Sequence, residues 1–213
     1  MKKLLINITL VFVNIIVIAQ TPTLDWAVSM GGSNDDEGIS ITTDVSGNVY
    51  TTGLFYDTVD FDPGPGIFNL TSLTPGGGEA IFIQKLDPNG NFVWAKTINI
   101  NKVYSITVDA NANVYTTGRC VATTDLDPGP GVFNLNGTTY ITFIHKLDAN
   151  GNFVWAKGIE TVGHAYSITT DASGNVYTTG WFSNAVDSVD FDPGPGVFNL
   201  IGFYGSANIF IQK

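Results

Sequence analysis

The chain has 213 residues, and its 9 basic and 19 acidic residues give a formal charge of −10 at pH 7. A surface this acidic repels phosphate backbones and argues against nucleic acid as a partner. Glycine is frequent, at 24 residues, and only 13% of residues are charged, which favours short strands and tight turns over helices. The single cysteine, Cys120, excludes an intrachain disulfide and is predicted to be a packed or partly exposed thiol rather than a nucleophile.

The N-terminus has the three regions of a secretory signal peptide. Lys2 and Lys3 precede the apolar run Leu4–Ile18, and Ala19 places a small residue at the cleavage position. The apolar run is shorter than the roughly 20 residues that a membrane span needs. We therefore predict a signal peptide over residues 1–19 with cleavage after Ala19. The mature chain is then expected to lack a membrane span and to be secreted or held at the outer cell surface.

One pattern occurs three times in the mature chain. V-D-F-D-P-G-P-G-I-F-N-L begins at Val59, and close copies begin at Thr124 and Val189, so the copies are 65 residues apart (124 − 59 and 189 − 124). Self-similarity at a fixed period indicates a tandem array of supersecondary units. We predict that residues 20–213 form one repeat domain, with units at about 31–98, 99–159 and 160–213.

Each unit contains the same elements in the same order. In the first unit, strands are predicted at Gly38–Asp44 and in N-V-Y-T-T-G from Asn48, then a third strand at Ala80–Asp87 and a Trp-containing strand at Phe92–Ile98. The D-x-D-P-G-P-G segment lies between the second and third of these, with a short extra strand. Residues 24–30, L-D-W-A-V-S-M, resemble the Trp strand and are predicted to be another copy of it.

The turns within the units use Asp and Gly. An Asp side chain accepts the backbone amide two residues on, and Gly supplies the positive φ that closes a short hairpin. Ala112 stands where the other units have Gly47 and Gly174. Two outcomes are open for the second unit: Ala112 adopts the strained conformation, or Asn111 takes the left-handed one instead.

Four hairpin-linked strands per unit are the make-up of a propeller blade. The strands are apolar in runs such as I-F-I, which is typical of sheets covered on both faces. We predict an all-β fold, a β-propeller with about three four-stranded blades that form an incomplete ring, since propellers typically have 4–8. A three-fold trefoil and a solenoid of stacked units are the alternatives. The remaining blades are expected to come from missing sequence or from a second chain.

The order S-I-T-x-D-x-x-G-N-V-Y-x-T-G, then D-F-D-P-G, then I-F-I-Q-K-L-D-x-N-G-N-F-V-W-A-K resembles the bacterial SBBP (beta-propeller) repeat family over nearly all of Asp25–Lys213. The resemblance implies an exported propeller, often in a long chain with a type IX secretion sorting domain. No such domain is present in this sequence, which favours a fragment. The family implies no catalytic residues.

The repeated carboxylate pairs are the candidate metal site. Calcium prefers six to eight oxygen ligands, and a Pro-Gly loop can add carbonyl oxygens to carboxylates. The structural alternative, which the sequence favours, is that the carboxylates cap a rigid turn through hydrogen bonds. The calcium candidates are Asp60, Asp62, Asp125, Asp127, Asp190 and Asp192.

Catalysis is not expected, because an active site is normally single and these pairs are triplicate. His145 and His164 have no partner at metal-ligand or triad spacing and are assigned to packing or surface. Trp26, Trp94 and Trp155 recur at one strand position, which favours inter-blade packing over a carbohydrate platform. The sequence thus predicts a structural or interaction module without a cofactor, in adhesion or binding of extracellular protein or polysaccharide. An exported carbohydrate-active propeller enzyme is the alternative.

Overall fold

The fold consists of antiparallel β-sheets. The computed structural model describes residues 23–73, 78–100, 102–121, 123–137, 140–160, 162–183, 188–203 and 205–213, and these contain no helix. The predicted signal peptide lies outside the described residues. The strands of the first unit are β1 (Glu37–Thr43), β2 (Val49–Phe55), β3 (Thr58–Asp60), β4 (Asn69–Thr71), β5 (Ala80–Leu86) and β6 (Phe92–Ile98).

The other two units follow the same plan. The second contains β7 (Val103–Val108), β8 (Val114–Val121), β9 (Tyr140–Leu147) and β10 (Phe153–Glu160). The third contains β11 (Val162–Thr170), β12 (Val176–Ser183), β13 (Val189–Asp190), β14 (Asn199–Leu200) and β15 (Asn208–Gln212). The sheet orders are β1-β2-β5-β6, β7-β8-β9-β10 and, among the described residues, β11-β12-β15. Four-stranded meanders of this kind are propeller blades, so the predicted all-β propeller is confirmed.

The first strand of each unit lies innermost. Strand β7 packs between β1 and β11, which brings the three first strands together along the ring axis. Side chains link them: the amide of Ile106 donates to Ser40 Oγ at 3.2 Å, and the amide of Ile168 donates to Ser105 Oγ at 3.3 Å. The end of the blades where these first strands begin is called the loop end below. The opposite end, with the Asp-Gly turns, is called the turn end.

The turns at the turn end form as predicted. Asp44 Oδ1 accepts the amides of Ser46 and Asn48 at 2.9 and 3.0 Å, and its Oδ2 accepts the Tyr50 hydroxyl at 3.0 Å. The same bonds recur in the other units. At the one position left open by the sequence, Ala112 itself takes the left-handed conformation, with φ of 60°. The repeated turn therefore keeps its shape at the expense of a strained alanine.

The hairpin with D-x-D-P-G-P-G fills the wedge between two blades. In the first unit its Phe61 ring packs against the Phe82 ring, with ring centroids 4.9 Å apart. Gln84 Nε2 donates to the Phe61 carbonyl at 2.6 Å. The third hairpin, at Pro193, also borders Lys157 of the preceding blade. The third hairpin thus lies between its own sheet and the one before. Blades diverge away from the axis, and this extra layer keeps the outer core closed.

The prediction of a strand at residues 24–30 is wrong. Residues 23–30 form no β-ladder, and only Gly31 makes an isolated bridge, to Asp60. A strand needs a neighbouring backbone for its hydrogen bonds, and no described strand runs beside this segment. Side chains hold it instead: Trp26 Nε1 donates to the Pro88 carbonyl at 3.0 Å, and Met30 packs against the core of the first blade.

Candidate binding site at the loop end

Each D-x-D-P-G-P-G loop is closed by its own carboxylates. Asp60 Oδ1 accepts the amides of Asp62 and Phe68 at 3.0 and 2.8 Å, and Asp62 Oδ1 accepts the Gly64 amide at 2.8 Å. The two amides that reach Asp60 lower the pKa of its carboxyl. A Cβ on Gly66 would lie 2.1 Å from Asp62 Oδ2, so the second glycine makes room for the carboxylate.

The same bonds recur in the other two units. The first Asp of each pair, Asp125 or Asp190, accepts two backbone amides, and the second, Asp127 or Asp192, accepts the amide of the first glycine. The three pairs lie in three separate units. Among the described residues, no further carboxylate, histidine or cysteine joins any pair to make a metal-binding group. Calcium binding at these loops therefore stays a prediction.

Residues singled out from sequence have packing environments. Trp94 Nε1 donates to the Ala149 carbonyl at 3.1 Å, in a turn of the next blade, which agrees with inter-blade packing. His145 is fully buried where the other units have Gln84 and Gln212. Burial lowers its pKa to about 3, with the Leu126 carbonyl acting in the opposite direction. Cys120 is also buried, and burial raises the pKa of its thiol to about 12.

Unrepeated side chains collect at the loop end. Strand pairing aligns Lys102 with Glu37 and His164 of the other units, and Arg119 with Leu54 and Trp181. At these two positions the three units differ in charge and in the presence of an aromatic ring, whereas the turns at the opposite end keep the same hydrogen bonds in all three units. These residues belong to no repeated motif, so the repeat pattern of the sequence does not predict them. Comparing equivalent positions between units would have found them.

Aromatic rings surround His164 at this end. The Tyr104 hydroxyl lies 2.7 Å from His164 Nδ1, and the imidazole stacks on Tyr166 with ring centroids 5.7 Å apart. Trp181 meets the imidazole edge at 5.1 Å and donates from Nε1 to the Tyr166 hydroxyl at 3.0 Å. Burial, and then the positive charge of Arg119, lowers the pKa of His164. These rings form a surface with the positive charge of Arg119 on one side. We call the group of Tyr104, His164, Tyr166, Trp181 and Arg119 the axial cluster.

The comparisons with known proteins support the propeller. No protein-family model matches the chain. An uncharacterized WD repeat-containing protein, L264 of Acanthamoeba polyphaga mimivirus, is 28% identical over 216 residues, which covers 87% of this chain. The match covers 15% of the viral protein, so the chain spans a small part of that relative. WD repeats form four-stranded propeller blades, and this similarity points to a propeller-like repeat family.

A solved structure was also found, at lower similarity. A Bacteroides caccae protein of unknown function has a TM-score of 0.32 and 10% identity, over 70% of this chain and 57% of that one. A likeness at this level bears on neither fold nor function.

None of the described segments forms an apolar helix of membrane-spanning length.

Proposed function

We propose that the chain is an exported propeller of the SBBP type, a non-catalytic interaction module that binds an extracellular protein or polysaccharide. The observation that supports this most directly is the axial cluster. Repeated polar groups such as Asp44 and Asp60 are engaged in holding turns and hairpins. Aromatic rings and the unrepeated cations Lys102 and Arg119 lie together at the loop end, and Trp, Tyr and Arg are the residues that dominate binding energy at interfaces.

The direct test is polysaccharide affinity electrophoresis with the full chain and a variant of the cluster. Trp181→Ala removes a ring that contacts both His164 and Tyr166. We expect it to weaken binding about tenfold, in line with the loss of an interfacial aromatic anchor. Val45→Ala, at an exposed turn of the opposite end, is the matched control and should bind as the parent does. Equal binding by parent and Trp181→Ala would contradict a role for the cluster.

Export rests on the leader sequence. If residues 1–19 are a signal peptide, the protein recovered outside the cytoplasm starts at Gln20. N-terminal sequencing of the extracellular fraction tests this in the native or a related host. Recovery only from the cytoplasm, with Met1 retained, would contradict the proposal.

The axial cluster also favours a second candidate, an exported carbohydrate-active enzyme. An active site is single and asymmetric, and the Tyr104–His164 contact occurs once in the described chain. A polymer that binds should then be incubated with the protein and assayed for new chain ends. We expect none. Release of chain ends that disappears in His164→Ala would replace the binding module with the enzyme.

The third blade has an exposed apolar face on β15. Ile209 and Ile211 of β15 are 83% and 78% exposed, whereas their equivalents Ile81 and Ile83 are fully buried by the second blade. We propose that this face is covered by further blades of a longer chain or by a second copy. Analytical ultracentrifugation of the full chain distinguishes the two, because a second copy doubles the mass and a longer chain does not.

A further inference from the structure

A cavity of about 790 Å³ opens at the loop end beside the axial cluster, at the junction of the first two blades. Its size is within the range of small-ligand sites in proteins. The first blade contributes Tyr56, Glu79 and Asn99 to the wall, and the second contributes Lys102, Arg119 and Tyr140. The wall therefore combines rings, hydrogen-bonding groups and two cations.

The two cations distinguish this cavity from the rest of the chain. Arg119 is the sole arginine of the sequence. Lys102 has no lysine at the equivalent position of the other units, whereas the lysines Lys85, Lys146 and Lys213, and Lys96 and Lys157, recur from unit to unit. In a chain with a net charge of −10, both unrepeated cations of the mature protein thus border one cavity.

The Arg119 guanidinium stacks on an aromatic ring and has no acidic partner in the described part of the chain. Its Cζ lies 3.6 Å from the centre of the Tyr140 ring, so the ring fixes the plane of the guanidinium. Its Nε is buried, and the described residues offer it neither a hydrogen-bond partner nor a carboxylate within ion-pair distance. A planar guanidinium stacked on a ring keeps its in-plane N–H groups available, and these match the two oxygens of a carboxylate or sulfate.

The neighbouring groups agree with a positive site. Arg119 and Lys102 both help to lower the pKa of His164, after burial, so their charge is felt across the axial cluster. The one acid on the wall, Glu79, accepts a hydrogen bond from the Tyr56 hydroxyl. Asn99 and Thr124 add groups that can bond to hydroxyls.

We propose that this cavity binds an acidic sugar, with the carboxylate or sulfate of the sugar on Arg119 and Lys102 and the ring hydroxyls on the polar wall. The proposal rests on the proposed function and names the class of polysaccharide that the module binds. A polyphosphate is disfavoured, because the acidic surface would repel its dense charge. An acidic sugar carries about one charge per ring and avoids most of that repulsion.

The experiment compares a polyuronate, a sulfated polysaccharide and a neutral glucan by affinity electrophoresis and calorimetry with the full chain. We expect at least one acidic polymer to bind, the neutral glucan not to bind, and added salt to weaken the binding. Comparison of the polyuronate with the sulfated polysaccharide identifies whether the cavity binds a carboxylate or a sulfate. Arg119→Gln should weaken binding at least tenfold and Lys102→Gln severalfold. Lys157→Gln, the same charge change at an exposed repeated lysine, should change it less than twofold.

The outcomes separate the two proposals. Equal loss in Lys157→Gln and Arg119→Gln, or no loss in either cavity variant, would overturn the acidic-sugar site and leave the binding module standing. Binding of the neutral glucan as tightly as the acidic polymers would do the same. Absence of binding to every polymer would overturn the acidic-sugar site together with the polysaccharide form of the proposed function, and would leave only the protein-binding form. Lys102 is exposed, so Lys102→Gln keeps the test decisive if Arg119→Gln does not fold.

Discussion

The strained alanine of the second blade provides a quantitative test of the repeat. Ala112 and its equivalents Gly47 and Gly174 close the same turn. Their backbone amides donate to the backbone carbonyls of Asp109, Asp44 and Asp171 at 2.9, 3.0 and 3.0 Å. Their φ angles are 60°, 81° and 78°. The three turns thus share a conformation, and the methyl group is the main local difference. Ala112→Gly should therefore stabilise the protein.

The size of the effect follows from two opposing contributions. A left-handed conformation costs an L-residue roughly 1–2 kcal/mol, and the freer unfolded chain of glycine returns about 0.4–1 kcal/mol. The net gain for Ala112→Gly is then about 1 kcal/mol, or a rise in Tm of roughly 3 °C for a chain of this length. Urea unfolding followed by tryptophan fluorescence measures it.

Gly174→Ala is the matched reverse change. No heavy atom lies within 4 Å of a Cβ built at Gly174, so the loss, about 1 kcal/mol, comes from the backbone alone. The double variant should return close to the parent, because the two turns are in different blades. If Ala112→Gly destabilises the chain, or Gly174→Ala is neutral, the turn does not carry the strain inferred for it.

Three further predictions concern His145, Cys120 and the aspartate loops. Burial lowers the pKa of His145 to about 3. Its contribution to the free energy of unfolding is therefore fully present above pH 6.5 and falls by up to about 1.4 kcal/mol per pH unit between pH 6.5 and 3. His145→Gln should flatten the pH dependence of urea unfolding from pH 6.5 to 5, and an unchanged slope would contradict this. Cys120 should react with a thiol reagent far more slowly in the native chain than in urea, and equal rates would show that it is accessible. Since Asp60 Oδ1 already accepts two amides, millimolar calcium should raise Tm no more than sodium chloride of equal ionic strength, and a saturable rise lost in Asp62→Asn would establish a calcium site.

Local chemistry made most of the fold predictable. The Asp-Gly turns and the β-branched runs mark each strand, and the strands predicted at Gly38–Asp44, Ala80–Asp87 and Phe92–Ile98 agree with β1, β5 and β6 within a few residues. The hairpin wedge was not predictable, since its position depends on contacts such as Gln84 with the Phe61 carbonyl, which join residues 23 apart. Residues 24–30 carry the Trp pattern of a strand, but a pattern cannot show whether a pairing strand is present.

The candidate site was less predictable than the fold. The carboxylate pairs recur, and their bonding shows a structural use that the sequence had already favoured. The axial cluster includes exceptions to the repeat, such as Arg119 and His164, that lie 45 residues apart in the chain (164 − 119). Only the closure of adjacent blades brings such residues together, and that depends on tertiary packing rather than on any local motif.

The hairpin wedge also bears on the size of the complete ring. In the first unit the Phe61 ring of the hairpin packs on Phe82 of its own sheet, with ring centroids 4.9 Å apart, and we expect the thickness of this layer to affect the angle at which one sheet meets the next. A full circle divided by that angle is the number of sheets that close without a gap. The hairpin inserted between two strands would thereby act as a spacer between blades. We expect that shortening it in all units changes the number of blades that close a ring.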